Sequence, residues 1–453
     1  MSANTGIVTH GGATHEVNQY YDSVVVQLPG TGHTKTTKYC FLSKVDPWED
    51  ENNPPSVELS QKNIKNVYKN MFIIKRVYPQ DMRPMIDRFD WVENEVYDYY
   101  RDDIDIIARD SNGRMIYKHY VKNRFDQVFK CLWNNNGAPS TYEPYFQPGY
   151  MSSSLVYTGG DGYKWVYMYS IDASLKQKFL TEDWMPTTLA NTAGVGANTV
   201  NSGNIPIVQL HDGGENYYIS NTTVSITGAN TATATAYPVI VDGSITDIII
   251  TNPGANYISA NVIILSETGT GAVAYANVSP PNGHGSDPFE EFGTSHIMVT
   301  QTFNQDENGV LPTDIDYRQI GFVINPTAHS SYPYQCEQPT YDLTTKITLA
   351  SGADQYISDE IVYQGTDVDN ATFSATVLSY SPSQSLVKLI NTKGTPQPGI
   401  VLTGNVSKAS KVILNVSYPD FIPYSGYITY IENRAGTQRS NDGSEQVRLI
   451  VGF

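Results

Sequence analysis

Three short stretches bring chemically capable side chains close together. Gly30-Thr31-Gly32-His33-Thr34-Lys35-Thr36 has the glycines and the lysine of a phosphate-cradling loop. That chemistry needs Gly-x-x-x-x-Gly-Lys-Ser/Thr, so that backbone N–H groups surround the phosphate and the lysine reaches it. Thr34 precedes Lys35 where glycine is required, and the stretch reads as a loop between strands. Asn304-Gln305-Asp306-Glu307-Asn308-Gly309 resembles the start of a calcium loop. It lacks the first acid, and Ile315 stands where a bidentate glutamate belongs, so the expectation is an exposed acidic turn. Gly283-His284-Gly285-Ser286-Asp287 contains His, Ser and Asp, but triad members converge from separate segments. This stretch also reads as a loop. Asp102, Asp103 and Asp105 read as a solvated strand edge. The eight histidines show no His-x-x-x-His spacing, which argues against zinc, and no carboxylate pair stands out for glycoside chemistry. The expectation is no catalytic residue, no cofactor and no metal.

Composition narrows the function classes. Lys and Arg number 29 against 46 Asp and Glu, a formal charge of −17. Phosphate-backbone binding needs basic patches, so nucleic acid is not an expected partner. Charged residues are only 17% of the chain, which is not the composition of a disordered acidic tail. The 33 tyrosines outnumber the 14 phenylalanines. Tyrosine joins an apolar ring to a polar tip, which suits half-exposed strands and surfaces that become interfaces. Cys40, Cys131 and Cys336 are too far apart for a Cys-x-x-Cys pair, and reduced thiols made in a cytoplasm are expected. Residues 1–17 lack an apolar signal core, and no apolar run approaches a membrane span.

The elements that must hold these residues are mainly strands. Residues 20–28 and 38–45 read as strands. A helix is expected from a cap at Ser56 to Met71, on the spacing of Ile64, Val67, Tyr68 and Met71. Tyr78-Pro79-Gln80-Asp81-Met82 is expected to open a second helical turn through Ile86. Residues 115–120, 128–133 and 161–171 read as strands. Charges nearly vanish from about residue 190 to 282, where an internal repeat lies. Gly214-Glu215-Asn216-Tyr217 and Gly254-Ala255-Asn256-Tyr257 are forty residues apart, and each leads to a Val/Ile run and then an alanine-rich run. A repeat of this period is a supersecondary unit that stacks on its copy. Gly352 to Ser358 is a fainter echo. Residues 427–431 and 445–453 alternate apolar with polar around Asn441-Asp442-Gly443, which predicts a closing hairpin with Phe453 in the core. The fold class is mainly β, a β-rich α+β chain of several domains. A body (1–195, 283–342 and 417–453) with short helices near 57–90 is interrupted by β modules at 196–282 and 343–416.

Taken in order, several motifs resemble the baseplate wedge protein of T-even-type contractile-tailed bacteriophages, the gene product eight family. They are Asp46-Pro47-Trp48-Glu49 with its Asn-rich Pro-Pro loop, the Met82–Trp91 stretch ending Arg88-Phe89-Asp90-Trp91, and Gly160-Asp161-Gly162-Tyr163-Lys164-Trp165. Trp184-Met185-Pro186, Arg318-Gln319-Ile320 through Asn325-Pro326, and Ser425-Gly426 through Tyr430-Ile431-Glu432-Asn433-Arg434 to Phe453 complete the series. The two β modules depart from the short form of that family. The resemblance implies a non-enzymatic structural subunit, homodimeric, with sandwich-like Greek-key β domains. It would contact other wedge subunits, assemble in the host cytoplasm and end in the virion tail. Interface candidates on this reading are Trp48, Trp91, Tyr163, Trp165, Tyr430, Asn433 and Arg434. The alternatives are a host-surface adhesin whose Thr-, Asn- and Tyr-rich modules bind glycans, and a tail-associated polysaccharide depolymerase.

Overall fold

The structure, a computed structural model, describes residues 10–25, 36–147, 156–188, 203–307, 309–328, 335–439 and 443–453. It is mainly β, with several antiparallel sheets, a small closed barrel and few helices. The chain divides into two compact units. The first comprises residues 1–19, 83–298 and 450–453, and the second 20–82 and 299–449. The residues expected to form one body are distributed over both. Among the described residues, no helix is long and apolar enough to cross a membrane.

The first unit is built on a four-stranded sheet in the order Tyr120–Lys122, Gln127–Trp133, Lys164–Ser170, Val156–Thr158. Gln127–Trp133 is buried at every position and Lys164–Ser170 at all but the last, so both faces are covered. Tyr97, Tyr120, Phe129, Cys131 and Trp165 fill the core. A fully buried ring of this size contributes about 2–3 kcal/mol.

The same unit contains the repeat, which forms a sheet in the order Ser244–Asn252, Thr235–Val241, Thr222–Thr227, Asn261–Ser266. The two copies close on each other. Tyr217 and Tyr257 are both buried. The Tyr217 hydroxyl accepts from the Ala272 N–H at 3.2 Å, and the Tyr257 hydroxyl from the Ala234 N–H at 2.8 Å. Each tyrosine is therefore bonded by the alanine-rich segment of the other copy. Gly214 and Gly254 adopt φ of 58° and 67°. A side chain at Gly254 would meet the Ala232 carbonyl oxygen at 2.6 Å and the Ala234 nitrogen at 2.8 Å. Glycine is required there by both conformation and space.

The second unit holds a five-stranded antiparallel sheet, ordered Thr340–Asp342, Met71–Arg76, Lys38–Ser43, Asp316–Ile324, Tyr427–Gln438. Tyr39, Phe41, Ile74, Val323 and Phe421 pack on it. Residues 345–417 supply the closed barrel, ordered Thr345–Leu349, Leu386–Gly394, Phe373–Ser381, Ile361–Gln364, Val401–Gly404, Ser410–Ser417 and back to the first. Its interior is apolar, with Ile347, Val362, Phe373, Leu389, Leu402 and Ile413 buried.

Several local expectations are corrected. Residues 20–28 do not begin a strand, because His10–Val25 is a helix. Val17, Tyr21 and Val24 are its buried residues, at i, i+4 and i+7, and this stripe outweighs the β preference of the valines. The second helix is Gln61–Asn70, capped by Ser60 and not Ser56. Pro79–Asp81 is one 3-10 turn, and Met82–Asp87 continues as a strand. Pro84 would remove a hydrogen bond from a helix continuing to Ile86. Only Tyr120–Lys122 is strand in the 115–120 region.

The closing hairpin is also corrected. Tyr427–Gln438 pairs with Asp316–Ile324, whereas Glu445–Gly452 lies in another sheet beside His296–Phe303. Alternation reports a buried face and is silent about the partner strand. Phe453 is 37% exposed and is not a core residue. Between the two strands the fully buried Arg439 donates to Glu445 at 3.0 Å and to the carbonyls of Pro312 and Gln305 at 2.7 and 3.0 Å. Asn441 and Asp442 lie outside the described residues.

Candidate functional site

Four of the seven interface candidates meet along one strand of the second unit. Tyr427–Gln438 is the last strand of its sheet, and the Asp46–Pro55 loop is bonded along it. The Trp48 indole donates to the Arg434 carbonyl at 2.7 Å. Glu51 accepts from the Gly436 N–H at 2.7 Å and from Arg318 at 2.7 Å. The Arg318 guanidinium, with the Gly436 N–H, holds the Glu51 carboxyl below its usual range. Asn433 donates to the Pro55 carbonyl at 2.8 Å and accepts from Gln319 at 2.9 Å. On the same strand, Arg434 donates to Glu432 at 2.6 Å, and Glu432 accepts the Tyr430 hydroxyl at 2.9 Å. A recess of about 250 Å³ remains between the loop, the Gln61–Asn70 helix and the strand, lined by Val45, Trp48, Val57, Asn63, Asn66 and Asn433. Amides, an indole and aliphatic groups suit packing and hydrogen bonding. Its lining includes no nucleophile held by a base.

The other three candidates lie in the first unit. Tyr163 and Trp165 stack at 5.5 Å between centroids and have no exposed surface. A side chain with no exposed surface packs within its own chain, so these two are corrected from interface anchors to core residues. Trp91 is half-buried and donates to the Ser140 hydroxyl at 3.0 Å. Ser140 donates to Asp161, which also accepts the N–H groups of Thr141, Tyr142 and Tyr163 at 2.8–3.1 Å. The Gly-Asp-Gly-Tyr motif is thus a loop anchor.

The sequence reading missed a buried charged cluster in the same unit. Lys130, on the Gln127–Trp133 strand, meets Glu291, at the end of the Pro288–Glu291 turn, at 2.8 Å. His284 lies 3.6 Å from the same carboxylate oxygen, and Gly285 N–H donates to the other at 2.6 Å. Tyr100 places its ring 4.2 Å from the lysine nitrogen and 4.7 Å from the His284 ring. Burial resists ionisation of Glu291, but the Lys130 charge and His284 outweigh it and leave the carboxyl at about 2. Burial, then Lys130, pushes His284 down to about 4 and nearby His119 to about 3. A carboxyl that acidic is a weak general base near neutral pH. The cluster therefore joins a strand to a turn. Its signal in the sequence was Lys130 itself, a charge inside an otherwise buried run.

The remaining candidates resolve simply. The turn at 304–309 is corrected in part: Asp306 is exposed, but the Glu307 side chain is buried and binds Lys75 at 2.5 Å. Asp102, Asp103 and Asp105 are exposed but lie on no strand. Gly30 to Lys35 lie outside the described residues. Among the described residues, no group of three or more His, Cys, Asp or Glu side chains is placed to hold a metal ion. No protein-family model matches the chain, and no curated protein matches it.

Proposed function

We propose that this chain is a non-enzymatic structural subunit of a phage tail baseplate wedge, acting as a homodimer that links neighbouring wedge proteins during assembly. The observation that carries the reading is how the residues of the ordered motifs are used. Trp48 and Glu51 fasten one loop to the Tyr427–Gln438 strand, through Arg434 and Gly436. Asp161 fastens another through Thr141, Tyr142 and Tyr163. These residues hold a scaffold, and the same series of motifs produced the resemblance to wedge proteins. A scaffold that presents half-buried tyrosine, asparagine and arginine on an outermost strand suits a subunit that works by contact.

Immunogold labelling of intact and disassembled virions tests the reading. Antibody to this chain is expected to mark the tail tip, and absence of the chain from purified virions would sink it. Sedimentation at micromolar concentration is expected to give a dimer, and a monomer there counts against the homodimer.

A further inference from the structure

A second recess of about 250 Å³ lies in the first unit, lined by Trp133, Asn135, Asn136, Lys164, His211 and Asp247 among others. We propose that it binds one neutral sugar ring of a glycan, gripping two neighbouring hydroxyls with Lys164 and Asp247. The wedge reading plays no part in this and stands or falls separately.

The lysine and aspartate form a half-used pair. Lys164 Nζ meets Asp247 Oδ1 at 2.7 Å, and the lysine side chain is only 10% exposed. Oδ1 also accepts the Ile248 N–H at 2.8 Å, whereas Oδ2 takes no bond from a described residue. The ammonium has three donors and uses one here. Two other buried groups are more fully bonded. Lys388 gives its nitrogen to Asp342 and to the carbonyls of Gly309 and Val310 at 2.7–3.0 Å. Both Glu291 oxygens are bonded. Lys164 and Asp247, with unused donors and an unused acceptor, both line the recess. A hydroxyl both donates and accepts. Two adjacent hydroxyls can therefore satisfy Asp247 Oδ2 and Lys164 Nζ together.

The rest of the lining agrees with a neutral ligand. Asn135 and Asn136 take φ of 49° and 56°. Their amide nitrogens are tied to the carbonyls of Asp161 and His211 at 3.0 Å, so each Oδ1 is left to accept a hydroxyl. The His211 ring, which lines the recess, is held against Trp133 at 4.7 Å and Tyr275 at 5.0 Å. Asp247 disfavours an anion and Lys164 a cation. The volume falls short of the roughly 300–1,000 Å³ of a drug-sized site, which fits a single ring.

Saturation-transfer difference NMR on the full chain tests this. The probes are the methyl glycosides of glucose, galactose, mannose and N-acetylglucosamine at millimolar concentration, with inorganic phosphate as competitor. Transfer to the ring protons of at least one sugar is expected, unaffected by phosphate. Asp247→Asn is expected to weaken it at least tenfold. Asn136→Gly, which suits the positive φ but also releases the bonds to the Leu210 and His211 carbonyls, is expected to weaken it several-fold in a chain that remains folded by circular dichroism. Silence with every sugar, displacement by phosphate, or undiminished transfer in a folded Asn136→Gly chain would overturn the proposal.

Discussion

The repeat at 203–282 and the barrel at 345–417 are β modules of similar size that solve the same problem in different ways. The barrel removes its edges by closing the ladder, since Ser410–Ser417 pairs back onto Thr345–Leu349. Closure lets an apolar interior carry the stability. The repeat keeps an open sheet, and the outward positions of Thr222–Thr227 and Asn261–Ser266 pair Thr223 with Leu265 and Ser225 with Ile263. Its unity comes from reciprocal bonds, each tyrosine hydroxyl held by a backbone N–H of the other copy. A closed module is defined by volume and an interlocked one by backbone fit. The two should therefore break under different substitutions.

The largest effect is expected at Gly254. Gly254→Val forces a β-branched residue to a φ of 67° and drives it into the Ala232 and Ala234 backbone. A loss of about 4 kcal/mol or more is expected, enough to open the repeat while the barrel stays protected. Hydrogen exchange resolved by segment checks it, and unchanged protection over 203–282 would remove backbone fit as the basis of the interlock. In the barrel the matching change is Leu389→Ala, at a position with no exposed surface. The expected loss is about 2–5 kcal/mol by denaturant titration. The barrel should yield to this cavity and the repeat should not notice it.

The same contrast explains what was legible in the sequence. The repeat was visible because backbone fit is written in residue types, and Gly, Asn and Tyr recur at fixed spacing in both copies. Barrel closure was not visible. Alternating Ile, Val and Leu announce strands with one buried face, and the pairing of the first with the last depends on contacts some seventy residues apart. The closing hairpin was misread for the same reason. Asn-Asp-Gly suggests a turn but does not say which strands pair, and Tyr427–Gln438 and Glu445–Gly452 pair in different sheets. Of the candidate site, Trp48, Tyr430, Asn433 and Arg434 came from the series of motifs, and the last three lie inside the Tyr427–Gln438 strand. Tyr163 and Trp165 carry the same interface-forming residue types, and only burial separates them. The Lys130 cluster was missed because Glu291 and Lys130 are 161 residues apart.

A pH change sharpens the difference between the two units. The first contains His119 and His284, both buried and both lowered from 6.5. Among the described residues the second contains no histidine. A histidine held neutral when folded but protonated when unfolded contributes stability that is full above 6.5. For His284 that stability is lost as pH falls from 6.5 towards about 4. Between pH 7 and 5 the loss from His284 alone is about 2 kcal/mol. Glu291 does not add to it, because its contribution is lost only as pH falls from the ordinary carboxyl range towards about 2. His284→Gln should therefore reduce the pH dependence of exchange in the first unit, where His119 and His296 are lowered too, and leave the second unchanged. Equal acid sensitivity in both units would assign the effect to something other than these rings.

The smallest effect separates donors from acceptors. Tyr257 accepts a backbone N–H, whereas Tyr356 of the barrel donates to the Leu402 carbonyl at 2.7 Å. Phenylalanine at 257 strands the N–H of Ala234, which is 3% exposed and has one hydrogen to place. Phenylalanine at 356 frees only one of two carbonyl lone pairs. The expected costs are about 1–2 kcal/mol for Tyr257→Phe and about 0.5–1 kcal/mol for Tyr356→Phe. Tyr217→Phe should cost less than Tyr257→Phe, because the Ala272 N–H is only part-buried and its bond is 3.2 Å. If Tyr217→Phe were silent while Tyr257→Phe was not, the interlock would be one-sided, and the first copy would be a passive template for the second.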